Sequence, residues 1–580
     1  MSKPIFFTAS AEDFKKIPGS PVAYWVSDAV REIFSIGTPI GDIASPRKGN
    51  TTTDNNRFLR AWHEVQSEKA AYGYTSGHKI IFDQKKWVPY NKGGGYRKLY
   101  GFCEFLINWF NNGEEIKNIP HSVIANEQFF FKSGLTWSTV TSKNFSIRKF
   151  GNGFIFDNGG CCVFGNEVNL MNLILFMNSS VFKKLFAEIN PTLNFQSGEV
   201  AKVPFINIPN HKLNRLEQVL VKIGTTDWDS YETSWDFKSL PFLRPEHCSD
   251  SLEEAYARTR ADWQEMTDEM KELEEENNRI FIDAYGLQDE LTPDVPLKEI
   301  TLTCNPFYRY GEDGENATEE KKAELEARLK ADSVKELLSY AIGCMMGRYS
   351  LDEEGLIYAS AGNEGFDASR YASFPADDDG IIPLTDEAWF EDDAASRFRE
   401  FCKAVWGEES LEQNMQFVAD QLDPKAGEAP DATIRRWLST KFFKDWHLKT
   451  YKKRPIYWLF SSGKQKAFEC LVYLHRYNEN TLPRMRASYV TPLQSKIASR
   501  LELLEHQIGS ATSTASRNAL KKQRDSLIKK QDELRRFDDL LRHYADQRIA
   551  LDLDDGVKVN YAKLGELLAE TKAITGGKED

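Results

Sequence analysis

The sequence predicts an α+β multidomain protein, and three observations support that fold class. The chain has 580 residues, which is enough for about three or four domains of ordinary size. Hydrophobic residues make up 41% of it and aromatic residues 12%, so several cores can be filled. Short apolar runs separated by turns occupy the first part, and helical periodicity dominates the rest. We therefore expect a mixed α/β domain followed by mostly α-helical domains that end in a long antiparallel helical hairpin.

The first part combines short strands with helices. Strands are predicted where apolar runs are bounded by turn residues, at residues 79–82, 129–131, 154–156 and 162–164. Glycine- and asparagine-rich turns between the runs predict hairpins, at residues 91–95, 151–153 and 157–160. Helical spacing predicts two interrupting helices, at residues 22–36 and 167–187.

The remaining chain is predicted to be mainly helical. Apolar residues recur at helical spacing in three stretches, residues 250–283, 318–347 and 385–424. Near the end, Leu520, Leu527, Leu534 and Leu541 repeat every seven residues, after a similar stripe that ends at Ile508. A turn-like segment at residues 509–516 separates the two stripes, so we expect an antiparallel hairpin over residues 485–551.

Charge is distributed unevenly along the chain. The net charge of −13 argues against a nucleic-acid binder, but it is the sum of three different regions. Residues 1–220 hold 25 basic and 18 acidic residues, residues 221–440 hold 22 and 51, and residues 441–580 hold 27 and 18. The two ends are therefore basic and the middle is acidic, a layout that indicates charged partners.

Three domains follow from this layout. We predict an α+β domain at residues 1–220, an acidic and mainly helical domain at 221–432, and a basic helical domain at 433–580 that contains the hairpin. The acidic middle is either solvated surface, or a surface that docks a basic partner or confines DNA to the basic ends. The hairpin serves either as a packing element or spacer, or as a binding site for a partner protein.

Several classes of protein are excluded by what the sequence lacks. The eight cysteines form no CxxC pair and the nine histidines form no HExxH or HxH motif, so neither a zinc site nor a disulfide framework is indicated. The common NTPase and hydrolase signatures are also absent. The start has no apolar signal region, and no run of 18 apolar residues occurs. We expect a cytoplasmic protein that does not enter a membrane.

Three polar and aromatic segments of the first domain are candidates for nucleic-acid contact. Residues 45–53 place two cations among small hydroxyl and amide residues, and residues 90–98 combine three cations with three glycines and two tyrosines. Residues 133–138, with the cations that follow, form the third segment. Arginine can bind guanine edges, lysine binds phosphates, and glycine lets backbone amides approach a phosphate. The alternative is that these are ordinary glycine-rich hairpins with surface lysines.

The candidate contact residues come from all three segments. We expect Lys and Arg side chains to bind phosphates or base edges, and Trp137 to lie with Arg148 near the contact surface. The full set is Arg47, Lys48, Lys92, Tyr96, Arg97, Lys98, Trp137, Ser138, Lys143 and Arg148.

Residues 305–308, Asn-Pro-Phe-Tyr, resemble the Asn-Pro-Pro-aromatic motif with which adenine methyltransferases hold a flipped base. The second proline of that motif is replaced here by Phe307. A methyltransferase also needs a glycine-rich turn between a strand and a helix, and we find none upstream. The favoured interpretation of this tetrapeptide is a turn with an aromatic anchor.

Taken in order, a set of segments resembles the C-terminal half of PglX-type adenine-specific DNA methyltransferases, the modification enzymes of BREX phage-defence systems. The segments are residues 46–53, 56–62, 86–101, 133–138, 145–148, 302–311, 348–352 and 551–561. The resemblance covers nearly the whole chain. The first 215 residues also resemble, more loosely, the target-recognition domains of fused restriction–modification methyltransferases.

The resemblance implies a DNA-binding role without catalysis. Members of this family carry a catalytic domain with a glycine-rich cofactor turn and an Asn-Pro-Pro-Tyr motif ahead of the region matched here, and this chain has neither. We therefore expect a fragment, a split subunit or a truncated product that binds no cofactor itself, whereas the full-length enzyme would use S-adenosylmethionine. The implied partners are double-stranded DNA, a catalytic domain in cis or in trans, and other BREX proteins.

Two other hypotheses compete with a DNA-binding module. A complete enzyme would bind S-adenosylmethionine and methylate adenine. A protein-interaction scaffold would dock other subunits of a defence complex through the acidic middle and the hairpin.

Overall fold

A computed structural model describes residues 12, 15–19, 24–141, 144–190, 192–314 and 316–576. The chain divides into two compact units. Unit 1 comprises Met1–Trp62, Lys69–Trp235 and Arg260–Leu329, and unit 2 comprises His63–Glu68, Asp236–Thr259 and Lys330–Asp580. The mixture of helices and small sheets confirms the α+β multidomain class. The three-domain division by charge stays a prediction.

The described residues of unit 1 form ten short strands in three sheets. The strands are β1 (Thr38–Pro39), β2 (Ser45–Arg47), β3 (Leu59–Ala61), β4 (Trp87–Asn91), β5 (Phe105–Asn108), β6 (Gly134–Trp137), β7 (Ile147–Phe150), β8 (Ile155–Phe156), β9 (Cys162–Phe164) and β10 (Pro204–Phe205). One four-stranded sheet has the order β2-β9-β6-β7 and the other has the order β3-β5-β4-β8, while β1 pairs with β10. Neighbouring strands are antiparallel except for β4 and β8, which are parallel.

An aromatic core joins the two four-stranded sheets of unit 1. Phe164 of β9 and Phe156 of β8 come from different sheets, and their ring centroids lie 5.2 Å apart. Phe130 lies 5.7 Å from Phe156 and 5.4 Å from the ring of Trp109, in edge-to-face geometry. Buried aromatic pairs of this kind add about 0.5–1.5 kcal/mol each beyond the area they bury. Phe130, Phe156 and Phe164 are therefore core residues, whereas Phe82 and Phe110 are exposed.

Between Asp28 and Met345 the described residues form twelve α-helices. They are α1 (Asp28–Ile36), α2 (Ile40–Ile43), α3 (Asn55–Phe58), α4 (Gly77–Phe82), α5 (Phe110–Lys117), α6 (Glu167–Met177), α7 (Ser180–Ile189), α8 (Ser197–Val200), α9 (Asn210–Trp228), α10 (Leu252–Tyr285), α11 (Pro306–Tyr310) and α12 (Glu319–Met345). The division between the units falls within α10 and within α12. Side-chain caps begin several helices, since the side chains of Ser27, Asn166 and Ser179 accept backbone N–H groups of the first turn.

Unit 2 is mainly helical around one three-stranded sheet of order β11-β13-β12. Its strands are β11 (Ile381–Pro383), β12 (Tyr457–Ser461) and β13 (Glu469–Tyr473). Its helices after α12 are α13 (Ala394–Trp406), α14 (Leu411–Asp420), α15 (Pro430–Trp437), α16 (Leu448–Thr450), α17 (Thr481–Arg484), α18 (Thr491–Ser510), α19 (Thr514–Asp546), α20 (Val557–Lys563) and α21 (Thr571–Thr575). Two π-helical segments, Leu438–His447 and Met485–Val490, continue α15 and α17.

The predicted hairpin is confirmed as α18 and α19, which pack against each other along a buried seam. Leu493, Ile497, Leu504 and Ile508 supply the seam from α18, and Leu527, Leu534 and Leu541 supply it from α19. Glu533 fixes the seam to the sheet region, because its carboxylate accepts Ser462 Oγ at 2.8 Å and the Gln465 amide at 2.7 Å. The seven-residue leucine spacing therefore did predict packing.

Some element predictions are wrong. Residues 79–82, predicted as a strand, belong to α4, and residues 129–131 lie in a 3₁₀ turn and the segment after it. The glycine-rich turn at residues 151–153 does not close a hairpin, since β7 and β8 belong to different sheets. The predicted helix at residues 167–187 is two helices, because the first ends at Met177 with Asn178 as its C-cap and Ser179 caps the next.

Candidate nucleic-acid interface

The structure brings together three of the loop segments singled out in the sequence. The Asn50 amide donates to Phe156 O at 2.8 Å, and the Asn158 amide donates to Asn50 O at 2.8 Å. The Asp157 amide donates in turn to Asn91 O at 2.9 Å. These backbone bonds place residues 47–53, 91–95 and 157–160 side by side. We call these residues, together with the adjoining residues 138–141, the loop cluster.

Asp157 organises the centre of the loop cluster. Its carboxylate accepts Tyr90 Oη at 2.8 Å, Lys92 Nζ at 2.8 Å and the Gly159 amide at 2.6 Å. The Asp157 side chain is 7% exposed, and that of Lys92 is 28% exposed. Burial, with Asp157 beside it, raises the pKa of Tyr90 well above its usual value, so this phenol stays a neutral donor. One buried carboxylate therefore orients the only cation of the 91–95 segment.

Ser138 ties the glycine loop to β6. Its hydroxyl accepts the Gly94 amide at 2.9 Å and donates to Gly94 O at 2.8 Å. A Cβ atom on Gly94 would lie 2.5 Å from the ring of Phe102, so only glycine fits against this ring. Close packing thus explains Gly93 and Gly94, because a Cβ on either would lie 2.5 Å from another atom, and the Gly94 amide is already occupied by a protein acceptor.

Arg47 is the last residue of β2, and Lys48 follows it. The half-buried Arg47 donates to Pro46 O at 3.2 Å and its guanidinium lies 5.5 Å from the centre of the Phe129 ring. The ammonium of the exposed Lys132 also lies 5.5 Å from that ring centre. Lys48 is exposed, and its backbone carbonyl accepts Asn126 Nδ2 at 2.9 Å. Three cations therefore lie at or near one polar surface of unit 1.

Arg97 lies in the interior of unit 1. Its guanidinium donates to the Asp227 carboxylate at 2.8 Å, and it also donates to Tyr100 O and Thr303 Oγ1. Burial alone would lower the pKa of Arg97, but the adjacent Asp227 raises it above its usual value. The side chain therefore stays charged and fixes residues that are far apart in sequence.

Lys98 and Arg148 are buried in the same region. Lys98 pairs with Glu274, and burial raises the pKa of Glu274 although Lys98 opposes that shift. Burial lowers the pKa of Arg148 to about 10, and its guanidinium lies 5.0 Å from the Phe102 ring centre. Arg148 also donates to Arg97 O at 3.4 Å. These cations face protein groups instead of solvent.

Tyr96 and Trp137 are buried as well. Tyr96 Oη donates to Glu299 at 3.2 Å, and Lys183 Nζ lies 2.6 Å from the same carboxylate. Although burial opposes the shift, Lys183 holds the pKa of Glu299 below its usual value. The indole of Trp137 donates to Phe195 O at 2.8 Å. Neither ring presents a stacking surface to solvent.

The ten predicted contact residues thus fall into three groups. Lys48 is exposed, and Arg47 and Lys92 are half-buried near the loop cluster. The buried group comprises Tyr96, Arg97, Lys98, Trp137, Ser138 and Arg148. Lys143 lies outside the described residues.

Residues 305–308 form a capped helix start. Asn305 Oδ1 accepts the Phe307 amide at 3.1 Å, and Asn305 Nδ2 donates to Leu297 O and Ile300 O. Pro306 occupies the first turn of α11, Tyr308 Oη donates to Tyr96 O at 2.6 Å, and Gly311 ends the helix with positive φ. The Asn305 side chain therefore serves the backbone of this chain, in agreement with a turn and an aromatic anchor.

Sequence reasoning missed two residues of this surface. Asn158 is exposed between the 47–53 and 91–95 segments, and an asparagine amide can pair with an adenine edge. Lys132 adds a cation beside Arg47. The sequence of residues 157–160 indicates only a turn. The signal that could have pointed to this position is the asparagine, Asn158, at the tip of the turn.

Three structural findings concern other classes of site. In the described part of the chain, every helix is too short or too polar to cross a membrane. Among the same residues, His, Cys, Asp and Glu form no group of three or more that could hold a metal ion. All eight cysteines are free thiols.

Comparison with known proteins gives two close relatives. No family model matches the chain. It is 45% identical over 577 residues to the adenine-specific methyltransferase BrxX of Escherichia coli O9:H4 (strain HS). The aligned region covers 97% of this chain and 46% of BrxX. It is 38% identical over 577 residues to the adenine-specific methyltransferase PglX of Lacticaseibacillus casei (strain Zhang), with 97% and 45% covered. The chain is thus homologous to part of these proteins and spans about half the length of the curated relatives it matches.

Proposed function

We propose that this chain is the DNA-binding, target-recognition and C-terminal portion of a PglX-type N6-adenine DNA methyltransferase of a BREX phage-defence system. The observation that supports this most strongly is 45% identity, over 97% of the chain, to an adenine-specific methyltransferase of which it matches 46%. In this proposal a catalytic domain, in cis or in trans, supplies S-adenosylmethionine binding and methyl transfer. The cell compartment is the cytoplasm.

The loop cluster is the proposed contact surface for double-stranded DNA. Exposed Lys48 binds a phosphate, and Lys92, held in place by Asp157, presents its partly exposed ammonium to a second one. Asn158 is placed to pair with a base edge, because a side-chain amide matches the donor and acceptor of adenine in the major groove. Arg47 adds charge at the edge of β2. Small hydroxyl and amide groups between these cations suit close approach to a duplex.

The buried cations act as positioning residues in this proposal. Arg97 and Lys98 cannot reach a phosphate without breaking ion pairs with Asp227 and Glu274. Breaking such a pair leaves an uncompensated buried charge, which costs about 3–5 kcal/mol. Their role is to hold the segment that follows the glycine loop, and Arg148 supports it from β7 through its bond to Arg97 O.

Catalysis is assigned to the other half of the enzyme. Among the described residues, no glycine-rich turn of the kind that binds such cofactors lies between a strand and a helix. The Asn305 amide, which would have to accept an adenine amino group, is engaged in capping α11. Calorimetry with S-adenosylmethionine should therefore show no binding to this chain alone, and measurable binding would favour a complete enzyme.

Fluorescence anisotropy with duplex DNA tests the contact surface. The variant Lys48→Ala/Lys92→Ala should bind more weakly and with a smaller salt dependence than the unaltered chain, because two phosphates are no longer neutralised. The matched control is Lys202→Ala/Lys222→Ala, which removes two exposed lysines outside the loop cluster. Equal reductions of affinity in the two variants would contradict the assignment of this surface.

A protein-interaction scaffold is the second candidate. The observation in its favour is a row of exposed acidic residues on α10, which includes Asp262, Glu265, Asp268, Glu269 and Glu272. Such a row complements a basic partner. Charge reversal at Glu265, Glu269 and Glu272 should then abolish co-purification with another defence-system protein while DNA affinity is retained. If the partner stays bound to the variant, the acidic row is only solvated surface.

A further inference from the structure

The distal end of the helical hairpin contributes little to the core of unit 2. The buried seam between α18 and α19 ends at Ile508 and Leu527, and each residue from 509 to 526 is exposed or half-buried. The turn at residues 511–513 and the helix ends beside it are therefore free of packing constraints. Their composition reflects interactions with solvent or with a binding partner.

This distal end is basic within an acidic chain. Residues 511–530 contain six basic residues and one acidic residue. Arg524 is paired with Asp525 and Glu505, and Lys530 is paired with Asp386. Lys521, Lys522 and Lys529 make no ion pair with any residue that the structure describes. Three unneutralised lysines on one helix end mark a surface for an anionic partner, since clustered like charge attracts counter-charge.

The spacing of these lysines suits a regular polyanion. Lys522 and Lys529 are seven residues apart on α19 and so lie on one side of the helix, separated by about 10 Å along its axis. That distance is close to the rise of three base pairs, about 3.4 Å each. The exposed side chains of Ser513, Thr514 and Asn518 beside them are groups that commonly donate to phosphates.

The amino-acid composition of the distal end also favours a nucleic acid over a protein as its partner. Residues 511–530 contain no aromatic residue. Protein interfaces are enriched in aromatic residues and depleted of lysine, whereas backbone contacts to DNA are made by lysine, arginine and small polar side chains. The distal end matches the second pattern.

We propose that the distal end of the hairpin, residues 511–530, is a sequence-independent contact for the phosphate backbone of DNA. The inference rests on the proposed DNA-binding function and assigns it a second contact site, in unit 2. Lys521, Lys522 and Lys529 bind phosphates and carry no information about base sequence. Their contribution is to affinity and to its dependence on salt.

The test compares the full chain with the variant Lys521→Ala/Lys522→Ala/Lys529→Ala. All three side chains are exposed and alanine favours helix, so α19 is retained. Fluorescence anisotropy is measured on two duplexes of unrelated sequence over a series of salt concentrations. We expect the slope of log K against log salt to shrink by about 0.9 for each phosphate that the variant no longer neutralises. The reduction of affinity should be the same for both duplexes.

The matched control is Lys238→Ala/Lys403→Ala/Lys425→Ala, which removes the same charge from exposed sites of the acidic middle. It should retain the slope of the unaltered chain. If the unaltered chain binds duplex DNA and the hairpin variant keeps the same slope, the inference is overturned while the proposed function stands. A reduction confined to one duplex, or release of an acidic protein partner with DNA binding intact, overturns it as well. If the unaltered chain binds no duplex, the proposed function and this inference both fail.

Discussion

The guanidinium of Arg97 lies 2.8 Å from the carboxylate of Asp227 in the interior of unit 1, where both side chains are at most 2% exposed. Asp227 also accepts the backbone amides of Thr303 and Cys304, at 2.7 and 2.9 Å. One ion pair therefore connects the segment after the glycine loop with the end of α9 and with residues 303–304. A cation that looks like a surface contact in the sequence is a structural centre in the fold.

Replacing Arg97 should destabilise unit 1. Arg97→Met leaves the Asp227 carboxylate buried without its cation, and such changes cost about 3–5 kcal/mol of the free energy of unfolding. Urea denaturation followed by tryptophan fluorescence measures this change. The control Lys48→Met alters an exposed cation and should stay within about 0.5 kcal/mol of the unaltered chain. A cost below about 1 kcal/mol for Arg97→Met would show that the pair is dispensable.

Ser138→Ala should loosen the glycine loop without unfolding the chain. The variant lacks both hydrogen bonds to Gly94, and each such bond contributes about 0.5–1.5 kcal/mol. Hydrogen exchange should therefore be faster at the Gly94 amide and unchanged at amides of β13. The companion variant Ser373→Ala removes an exposed serine of unit 2 and should leave the Gly94 amide protected. Equal protection of the Gly94 amide in both variants would show that the Ser138 hydrogen bonds do not hold the glycine loop.

Gly49→Ala should displace the segment that carries Lys48. A Cβ atom at this position would lie 1.9 Å from the backbone oxygen of Phe156, which cannot move as a side chain would. Overpacking of this kind costs about 1–3 kcal/mol. Gly151→Ala is the control, since its Cβ would meet no atom within 4 Å. A lower melting temperature and weaker DNA binding are expected for Gly49→Ala alone, and identical behaviour of the two variants would contradict the observed packing.

Unit 2 should lose stability as the pH falls below about 6.5. Burial lowers the pKa of His447 and of His475 to about 3, and burial with nearby Arg348 lowers that of His63 well below its usual value. Since these pKa values are depressed in the folded state, the unfolded chain binds more protons between pH 6.5 and 3. Stability is therefore complete above the unfolded pKa and declines below it, by about 1.4 kcal/mol per pH unit for each proton taken up.

Chemical denaturation at pH 7.5 and pH 5.5 measures this decline. His475→Gln removes one of these three rings with a lowered pKa, so the pH dependence of the free energy of unfolding should decrease by the contribution of one proton. His78→Gln alters an exposed ring and should leave it unchanged. A midpoint of unfolding that is independent of pH over this range would mean that the buried imidazoles do not control the stability of unit 2.

Periodicity predicted the long helices, because their stripes and heptads extend over many turns. The 34 residues of α10 and the leucine seam of α18 and α19 are examples. Short apolar runs gave no such guidance. Residues 79–82 fit a strand or a helix turn equally well, and in the fold only Ile80 of this apolar run is buried.

The proposed contact surface was predictable only in part. Composition singles out the segments around Lys48 and Lys92, and the fold does bring them together. Arg97 and Lys98 resemble surface cations in the sequence because their acidic partners, Asp227 and Glu274, lie more than a hundred residues away in the chain. Long-range ion pairs leave no local signal, and the same is true of the role of Asp157.

The salt dependence of duplex DNA binding tests the central proposal most directly. Purified chain should bind duplex DNA with log K falling linearly against log salt, with a slope of about −0.9 for each phosphate contacted. The slope should become smaller in Lys48→Ala/Lys92→Ala and remain unchanged in Lys202→Ala/Lys222→Ala. Absence of binding at low salt, or an affinity that does not respond to salt, would contradict the account of this chain as the DNA-binding part of an adenine methyltransferase.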